Sequence, residues 1–495
     1  MIDAMQPAAR RLLLCVPAVI ACALVAREAQ AVTLSVGPGR TSATPSAAAA
    51  AARDGDTIEI AAGTYRDITT WRAHNLTIRG VGGVARLDAT GLTIPNGKAI
   101  WVIQGRGYTV ERIEFSGARV PDRNGAGIRL EAPGLTVRDC YFHDNENGIL
   151  TGADATSDLV FETTEFNHNG AGDGQSHNFY VGAVRSLTLR GCYTHDAVVG
   201  HLVKSRAAAN YLLYNRITGE AGSASYEVDL PNGGLAVLVG NVIQQGAATQ
   251  NPTLVTFAEE GATHADQRFY MVNNTLVNDR ASGTFVRLAG TPSAAVLTNN
   301  LFVGNGTQLS GTATSARNLV GTAAWLVGAA RFDYHLTATA GAIDMGADPG
   351  PTPAGSAAAL LPAFEYVHPR ALSARTVTRT IDVGAYEYNS ETSLDASAAD
   401  VPRDVVVDVP RDAPRDAVAV DVAVVDSTVS QDRGEALDAA EDAGSAAPDA
   451  GASGASETGC GCSTPGTTGR ISWAMALMLA LVARRRRVTR PTSAR

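Results

Sequence analysis

Short apolar segments alternate with polar positions along most of the chain, and each alternating segment ends in a similar turn. The phrases LTVRDC, LTLRGC and RFYMVNN place apolar residues at every second position before that turn. This is the period of a β-strand with one buried face, and the phrases show no helical periodicity. The turn residue recurs at intervals of 23 to 33 residues, at Ile113, Cys140, Thr164, Cys192, Asn215, Asn241, Asn274 and Asn300.

A repeat of this length that is built from strands and turns predicts a β-solenoid. One unit has too few apolar residues to form a core alone, so each strand must pair with its equivalent about 4.8 Å above it. Asparagine suits the repeated turn because its amide bonds to neighbouring backbone and because it tolerates left-handed backbone angles. We predict that Asn215, Asn241, Asn274 and Asn300 stack their amides as a ladder.

Two outer phrases carry a resemblance to a known fold. GDTIEIAAGTY (residues 55–65) and IDVGAYEY (residues 381–388) are similar to the opening and closing segments of the right-handed parallel β-helix, or pectate-lyase-like, superfamily. The resemblance covers residues 32–388 and implies one all-β domain, a single-stranded β-solenoid. An alanine run at residues 47–52 predicts a short N-terminal capping helix that covers the first strand edge.

The two ends of the chain differ in composition from this domain. Residues 1–31 have a basic start, a short apolar run and a small-x-small site at Ala29 and Ala31, which predicts a secretory signal peptide. A transmembrane anchor is the alternative. Residues 389–458 are rich in aspartate, proline and alanine, which predicts a disordered stalk.

Cys140 and Cys192 would lie two coils, about 9.6 Å, apart. This distance is too long for a disulfide, so we predict two free buried thiols.

The last segment, residues 459–495, combines Cys460 and Cys462 with a short apolar run and four arginines at residues 484–487. It resembles the C-terminal sorting signal of myxobacterial surface proteins. The resemblance implies a secreted protein held at the cell surface or outer membrane. The alternative is an ordinary C-terminal transmembrane helix with positively charged flanking residues.

Charge excludes one class of partner. The net charge of −9 gives no basic footprint, so nucleic-acid binding is not expected. The expected partners are an extracellular polysaccharide and the cell envelope, and the protein is expected to be a monomer.

Candidate chemistry gathers on the short strands that follow the turns, at residues 127–131, 147–151, 178–182, 201–205, 225–230 and 253–257. Strand residues alternate faces. With Ile128, Ile149, Phe179, Leu202 and Val228 pointing inward, a dense polar cluster faces outward across about three coils. The outward set includes Arg129, Asn178, Tyr180, His201, Glu227 and Asp229, with His177 and Lys204 close by; the sequence leaves open which way Lys204 faces.

The phrase HLVKSRAAANYLLYN is similar to the Lys-Ser segment of polysaccharide lyase family 6. The resemblance implies β-elimination of a uronate polysaccharide with Lys204 as base, and we expect His201 or Tyr180 as acid. Asp229 occupies the position of a family arginine. Glu227 and Asp229 are candidate Ca²⁺ ligands. The expected substrate-binding residues are His177, Asn178, Arg129 and Arg206.

Two other interpretations stay open. Glu227 and Asp229 would lie about 7 Å apart along one strand face, a separation that suits glycoside hydrolysis by inversion; we rank this below the lyase. Alternatively the cluster binds glycan without catalysis, as in a surface adhesin or a structural protein. The sequence therefore predicts a protein that binds or cleaves an acidic extracellular polysaccharide and leaves open whether it is an enzyme.

Overall fold

The computed structural model describes residues 31–389. The segments predicted to be a signal peptide, a stalk and a sorting signal, the last with Cys460 and Cys462, lie outside the described residues. Within residues 31–389, no helix is long and apolar enough to cross a membrane.

The shaft consists of three rows of strands, and every strand pairs in parallel with its equivalent in the next coil. The first two rows form one 21-stranded sheet because Thr77–Asp88 pairs with both of them. The first row contains Thr33–Val36, Thr57–Tyr65, Thr77–Asp88, Tyr108–Glu111, Leu135–Arg138, Asp154–Glu162, Val184–Arg190, Ala209–Leu213, Leu235–Val239, Arg268–Val272, Ala294–Thr298 and Thr314–Ala316. The second row contains Ile113–Ser116, Tyr141–His143, Glu165–Asn167, Tyr193–His195, Arg216–Thr218, Val242–Gln245, Thr275–Asn278, Leu301–Gly304 and Leu319–Gly321.

The third row is a separate ten-stranded sheet. Its strands are Thr69–Trp71, Ala99–Ile103, Ala126–Leu130, Asn147–Thr151, Phe179–Val181, Val203–Ser205, Val228–Leu230, Thr253–Phe257, Thr284–Leu288 and Thr307–Ser310. The inner faces of the three rows enclose one apolar core. Equivalent phenylalanines stack inside it: the Phe115 and Phe142 rings lie 4.8 Å apart, and those of Phe142 and Phe166 lie 5.1 Å apart. The predicted all-β solenoid is confirmed.

The predicted asparagine ladder is present and continues one coil further. Each Nδ2 donates to the next Oδ1 at 2.8–2.9 Å along Asn215, Asn241, Asn274, Asn300 and Asn318. Each backbone N–H donates to the same oxygen at 2.9–3.0 Å. All but Asn318 are fully buried, so the amides satisfy one another where no water reaches.

One reason given for asparagine at this turn was wrong. The left-handed backbone angles fall on the residue before the ladder position, with φ of 55° at Tyr214, 52° at Asn273 and 57° at Asn299. Asparagine is therefore suited to the ladder position by its hydrogen bonds. In earlier coils the same position holds Cys140 and Cys192, which are buried and free as predicted.

Both ends of the shaft carry non-repeating structure. The predicted N-terminal helix is Pro45–Ala51, with Thr44 Oγ1 accepting from the Ala47 N–H at 3.3 Å. After the shaft come two 3₁₀ turns and two antiparallel strand pairs, and the chain returns along the 21-stranded sheet. Arg370 Nη1, for example, donates to the Cys140 carbonyl at 3.0 Å. These elements are Ala323–Trp325, Leu326–Gly328, Ala329–Arg331, Asp333–Leu336, Phe364–Val367 and Ala371–Ala374.

Candidate functional site

The outer face of the ten-stranded sheet presents a column of polar residues in consecutive coils. The register pairs Tyr180 with Lys204, Lys204 with Asp229, and Asp229 with Thr256. Val203 pairs with Val228 on the inner side, and Leu202, which precedes the strand, is buried in the same apolar core as predicted. Because side chains alternate along a strand, Lys204 points outward between Tyr180 and Asp229.

Lys204 lies at the centre of the cluster. Its Nζ is 3.6 Å from Asp229 Oδ2, 3.5 Å from Glu260 Oε1 and 5.6 Å from the centre of the Tyr180 ring. Only 8% of its side chain is exposed. Burial raises the pKa of Asp229, and the Lys204 ammonium opposes that rise. The other Asp229 oxygen accepts from Thr256 Oγ1 at 2.8 Å.

Lysine is scarce in this chain. Of the 40 lysines and arginines, only Lys98 and Lys204 are lysines. Lysine differs chemically from arginine because its amine can lose a proton within the range that proteins reach, whereas a guanidinium stays charged. One of only two lysines in the chain is therefore buried beside two carboxylates, which indicates that this position requires an amine rather than a guanidinium.

Arg206 connects Tyr180 to the loop that carries Glu260. Its Nε donates to the Tyr180 hydroxyl oxygen at 3.2 Å, its Nη2 lies 2.7 Å from Glu260 Oε2, and its Nη1 donates to Asn232 Oδ1 at 2.7 Å. Since the Tyr180 oxygen accepts from Arg206, the phenol proton is directed elsewhere and is available for donation. The structure thus brings together Tyr180, Lys204 and Arg206, three of the candidate residues named from the sequence.

Three rings stack along the edge of this cluster. The His177 and His201 rings lie 4.4 Å apart, and those of His201 and Tyr226 lie 5.1 Å apart. The His201 backbone N–H donates to His177 Nδ1 at 3.0 Å, and the Tyr226 N–H donates to His201 Nδ1 at 3.2 Å. Neutral imidazoles with these bonds carry their proton on Nε2.

Burial, with Lys204 and Arg206 nearby, lowers the pKa of His201 well below its usual value. The pKa of His177 is lowered in the same way, by burial and by His201, Lys204 and Arg206. Both imidazoles are therefore neutral hydrogen-bond donors at neutral pH. His201 Nε2 lies 3.9 Å from Asp229 Oδ2, and so faces the centre of the cluster.

Comparison with known proteins bears on the fold. Residues 66–243 match a family model described as a right handed beta helix region. The protein is a right-handed parallel β-helix. None of the curated proteins matches this chain. The matched residues of the β-helix include Tyr180, Lys204 and Asp229, whereas Glu260 lies beyond them.

Solved structures resemble this β-helix at low identity. Pectate lyase Pel9A is 12% identical with a TM-score of 0.44, over 73% of this chain and 97% of that one. Alginate lyase from Paenibacillus sp. str. FPU-7 is 15% identical with a TM-score of 0.36, over 58% of this chain and 99% of that one. Geobacillus virus E2 ORF18 is 13% identical with a TM-score of 0.36, over 54% and 53%.

Asn178 was expected to face outward and bind substrate, and the structure contradicts this. It is fully buried, and its Nδ2 donates to the His195 carbonyl at 2.7 Å. Its Oδ1 accepts from Asn169 Nδ2 at 3.0 Å, and Asn145 continues the same chain of amides. Asn178 therefore belongs to a second internal ladder of the β-helix and is unavailable to a substrate.

Arg129 lies on the predicted outer face but away from the cluster. It pairs with Leu150, which pairs with Tyr180, so Arg129 is two coils, about 9.6 Å, from Tyr180 along the shaft. It is half-buried. Arg129 would contact only a polymer that extends along the β-helix.

Glu227 was expected beside Asp229 on one strand face, and this was wrong. Glu227 precedes the strand Val228–Leu230 and is fully buried, where Oε2 accepts from Gln245 Nε2 at 3.2 Å. Burial raises its pKa well above the usual value. Asp229 is instead engaged by Thr256 and Lys204. The two carboxylates therefore fit neither a shared Ca²⁺, which needs several converging oxygens, nor a hydrolytic pair.

His143 and His195 occupy equivalent coil positions, each paired with Asn167 in the second row. Within residues 31–389, one group of potential metal ligands consists of His195, Asp196 and Glu220. Glu220 Oε1, however, is 3.0 Å from Arg216 Nη2, and so already neutralises a cation. This group lies on the 21-stranded sheet and is separate from Lys204.

Sequence reasoning missed Glu260 and Tyr226. Glu260 lies in the loop after Thr253–Phe257, where its backbone N–H donates to the Pro231 carbonyl at 2.9 Å. The available signal was spacing: the interval from Asn241 to Asn274 is 33 residues, the longest in the repeat. An enlarged coil supplies a loop long enough to reach across its neighbours.

Proposed function

We propose that the outer face of the ten-stranded sheet binds an acidic polysaccharide and that Lys204 and Tyr180 cleave it by β-elimination. The observation that supports this most directly is the meeting of three groups on adjacent coils. The Lys204 amine lies 5.6 Å from the Tyr180 ring, and Arg206 donates to the Tyr180 oxygen at 3.2 Å. A base, a proton donor and a cation thus face one side.

Each group has a defined part in the proposed reaction. As the proposed base, the Lys204 amine takes the proton on C5 of the uronate, and the electrons of the C5–H bond form a C4–C5 double bond. The C4–oxygen bond breaks, and Tyr180 gives its phenol proton to the leaving oxygen. Arg206 holds the uronate carboxylate, and so stabilises the charge that develops beside C5. No water is consumed, and solvent resets both protonation states.

His201 was the other candidate acid, and its surroundings fit a different part. Its pKa is lowered well below the usual value by burial and by Lys204 and Arg206, so it is neutral and holds one proton on Nε2. A neutral imidazole is a weak acid but a good hydrogen-bond donor. His201 therefore fits sugar binding, whereas His177 is almost fully buried and supports His201 through the ring stack and through Nδ1.

The second candidate function is glycan binding without cleavage. It is favoured by the two carboxylates, Asp229 and Glu260, that lie within 3.6 Å of the Lys204 Nζ. Anionic neighbours stabilise an ammonium in its charged form, which is no base. In this case the site would hold a polysaccharide at the cell surface.

The proposed place of action is outside the cell, on the basis of residues 1–31 and residues 459–495 of the sequence. We propose that the first segment is removed on secretion and that the last, with Cys460 and Cys462, directs attachment to the envelope. Fractionation of cells that express the chain with and without residues 459–495 tests this. Release of the shortened chain into the medium is expected; equal retention of both chains would contradict it.

The test of cleavage uses the full chain with polygalacturonate and with alginate, following the ultraviolet absorbance of the unsaturated product. Lys204→Ala should abolish product formation, and Tyr180→Phe should lower the rate by about 10²–10⁴-fold. Lys98→Ala is the matched control. Lys98 is the other lysine; it lies four coils from Lys204 and pairs with Glu131.

Three outcomes separate the proposals. Equal rates for Lys204→Ala and wild type would refute the assignment of the base. Retention of either polymer with no product from wild type would leave glycan binding as the function. Neither binding nor product would refute both.

A further inference from the structure

Glu260 places a single carboxylate against two cations, Lys204 in the strand Val203–Ser205 and Arg206 directly after it. Its Oε2 lies 2.7 Å from Arg206 Nη2, and its Oε1 lies 3.5 Å from Lys204 Nζ. Lys204 and Arg206 flank Ser205, and both lie over the Tyr180 ring, at 5.6 Å and 5.9 Å from its centre, so the two cations share one face. Lys204 and Arg206 together form a binding site for one carboxylate, and in this structure the chain's own Glu260 occupies it.

The two carboxylates on Lys204 differ in how firmly they are held. Asp229 has 5% of its side chain exposed and accepts from Thr256 Oγ1 at 2.8 Å. Glu260 has 40% exposed and approaches from the solvent side. Ion pairs that remain open to water contribute little to stability. Glu260 can therefore exchange for another carboxylate, whereas Asp229 is a fixed part of the wall.

The exchange requires only rotation of the Glu260 side chain. The Glu260 backbone N–H donates to the Pro231 carbonyl at 2.9 Å, and the Thr263 N–H donates to the Asn232 carbonyl at 3.2 Å. His264 Nε2 lies 3.0 Å from the Arg206 carbonyl oxygen, which ties the same loop to the end of the strand Val203–Ser205. With the backbone held at these points, exposed side-chain torsions still change on a fast time scale.

We infer that Glu260 stands in the subsite for a substrate carboxylate, and that an acidic sugar binds by replacing it at Arg206 and Lys204. This inference rests on the proposed function, since it takes the ligand to be an acidic polysaccharide. Arg206 supplies paired N–H donors that match a planar carboxylate, and Lys204 adds a further N–H donor. The site would thereby select uronate units and reject neutral sugars or methyl esters.

The test compares Glu260→Gln with Glu259→Gln. Glu259 lies in the same loop but pairs with Arg287 Nε at 2.8 Å rather than with Lys204 or Arg206. The probes are oligomers of galacturonate, the corresponding methyl esters and alginate oligomers, titrated into the full chain. Glu260→Gln should bind the carboxylated oligomers about two- to fivefold more tightly, because a neutral amide competes less well for the cations.

The methyl esters should bind Glu260→Gln no better than wild type, and Glu259→Gln should resemble wild type with every probe. In an Arg206→Gln background, Glu260→Gln should bring no gain, because the subsite has lost its main cation. Thermal melting checks that each variant is folded. A gain that survives in this background, or that extends to the esters, would overturn the inference.

The readouts separate this inference from the proposed reaction. Product formation by wild type with equal or weaker binding by Glu260→Gln would overturn the inference and leave β-elimination standing. Tighter binding of the carboxylated oligomers with no product from any variant would support the subsite and refute the reaction. Binding of no probe by either chain would overturn both.

Discussion

Replacement of Asn241 by alanine is expected to destabilise the β-helix strongly, because this one buried amide satisfies four other polar groups. Its Oδ1 accepts from the Asn215 backbone N–H and from Asn215 Nδ2, both at 2.9 Å. Its Nδ2 donates to the Leu212 carbonyl at 2.7 Å and to Asn274 Oδ1 at 2.9 Å. Alanine removes all four bonds at once.

The expected loss is about 4 kcal/mol. A typical hydrogen bond contributes about 0.5–1.5 kcal/mol net, which gives roughly 2–6 kcal/mol for four. The groups left behind are also buried, and an unpaired buried group costs about 1–3 kcal/mol, which favours the upper half of that range. Relaxation of the neighbouring coils and entry of a water would recover part of the loss.

The measurement is urea-induced unfolding, followed by circular dichroism and by hydrogen exchange of the coil amides. Because each coil contacts only its neighbours, the loss should concentrate in the coils of Asn215 and Asn274. Asn318→Ala is the matched control: Asn318 ends the ladder and is half-buried, so water can replace its bonds and the loss should be about 1 kcal/mol. Equal losses at the two positions, or a loss below about 1 kcal/mol at Asn241, would refute the reasoning.

Two further predictions concern buried titratable groups. Burial raises the pKa of Glu227 well above its usual 4.5, so the folded chain keeps a proton that the unfolded chain releases. The free energy of unfolding should therefore fall as pH rises above about 4.5, and Glu227→Gln should reduce this dependence on pH. Urea unfolding of both chains at a series of pH values measures it. The same pH dependence in the two chains would show that the Glu227 carboxylate is ionised in the folded protein. Burial also raises the pKa of the Cys140 and Cys192 thiols to about 12, so iodoacetamide should label their peptides only after denaturation, and labelling of the native chain would contradict this.

The shaft could be predicted from sequence because its determinants repeat once per coil. Asn215, Asn241 and Asn274 occupy the same place in successive units, so one pattern defines both the turn and its stacking. The five-residue strands Asn147–Thr151 and Thr253–Phe257 were predicted with the bounds that the structure shows. In each case the information is local, and the next coil supplies the same information again.

Strand alternation failed where the strands of the ten-stranded sheet are short. Phe179–Val181 and Val228–Leu230 have three residues each, so alternation holds for Tyr180 and Asp229 but not for the residues before them. Asn178 and Glu227 lie at the corners of the coil, where the backbone turns and both side chains point into the interior. An alternating pattern extended beyond a strand end assigns the wrong face.

Glu260 shows why only part of the candidate site could be predicted from the sequence. Its partners Lys204 and Arg206 lie more than fifty residues earlier in the chain, and the hydrogen bond from its backbone N–H to Pro231 spans an irregular loop. A repeat determines which strands stack, but it says nothing about how far an inserted loop travels over the face of its neighbours. The long interval between Asn241 and Asn274 marks the coil that carries such a loop. In a solenoid whose regular coils present similar surfaces, a distinctive binding site requires a departure from the repeat, so irregular intervals are where such a site should be sought.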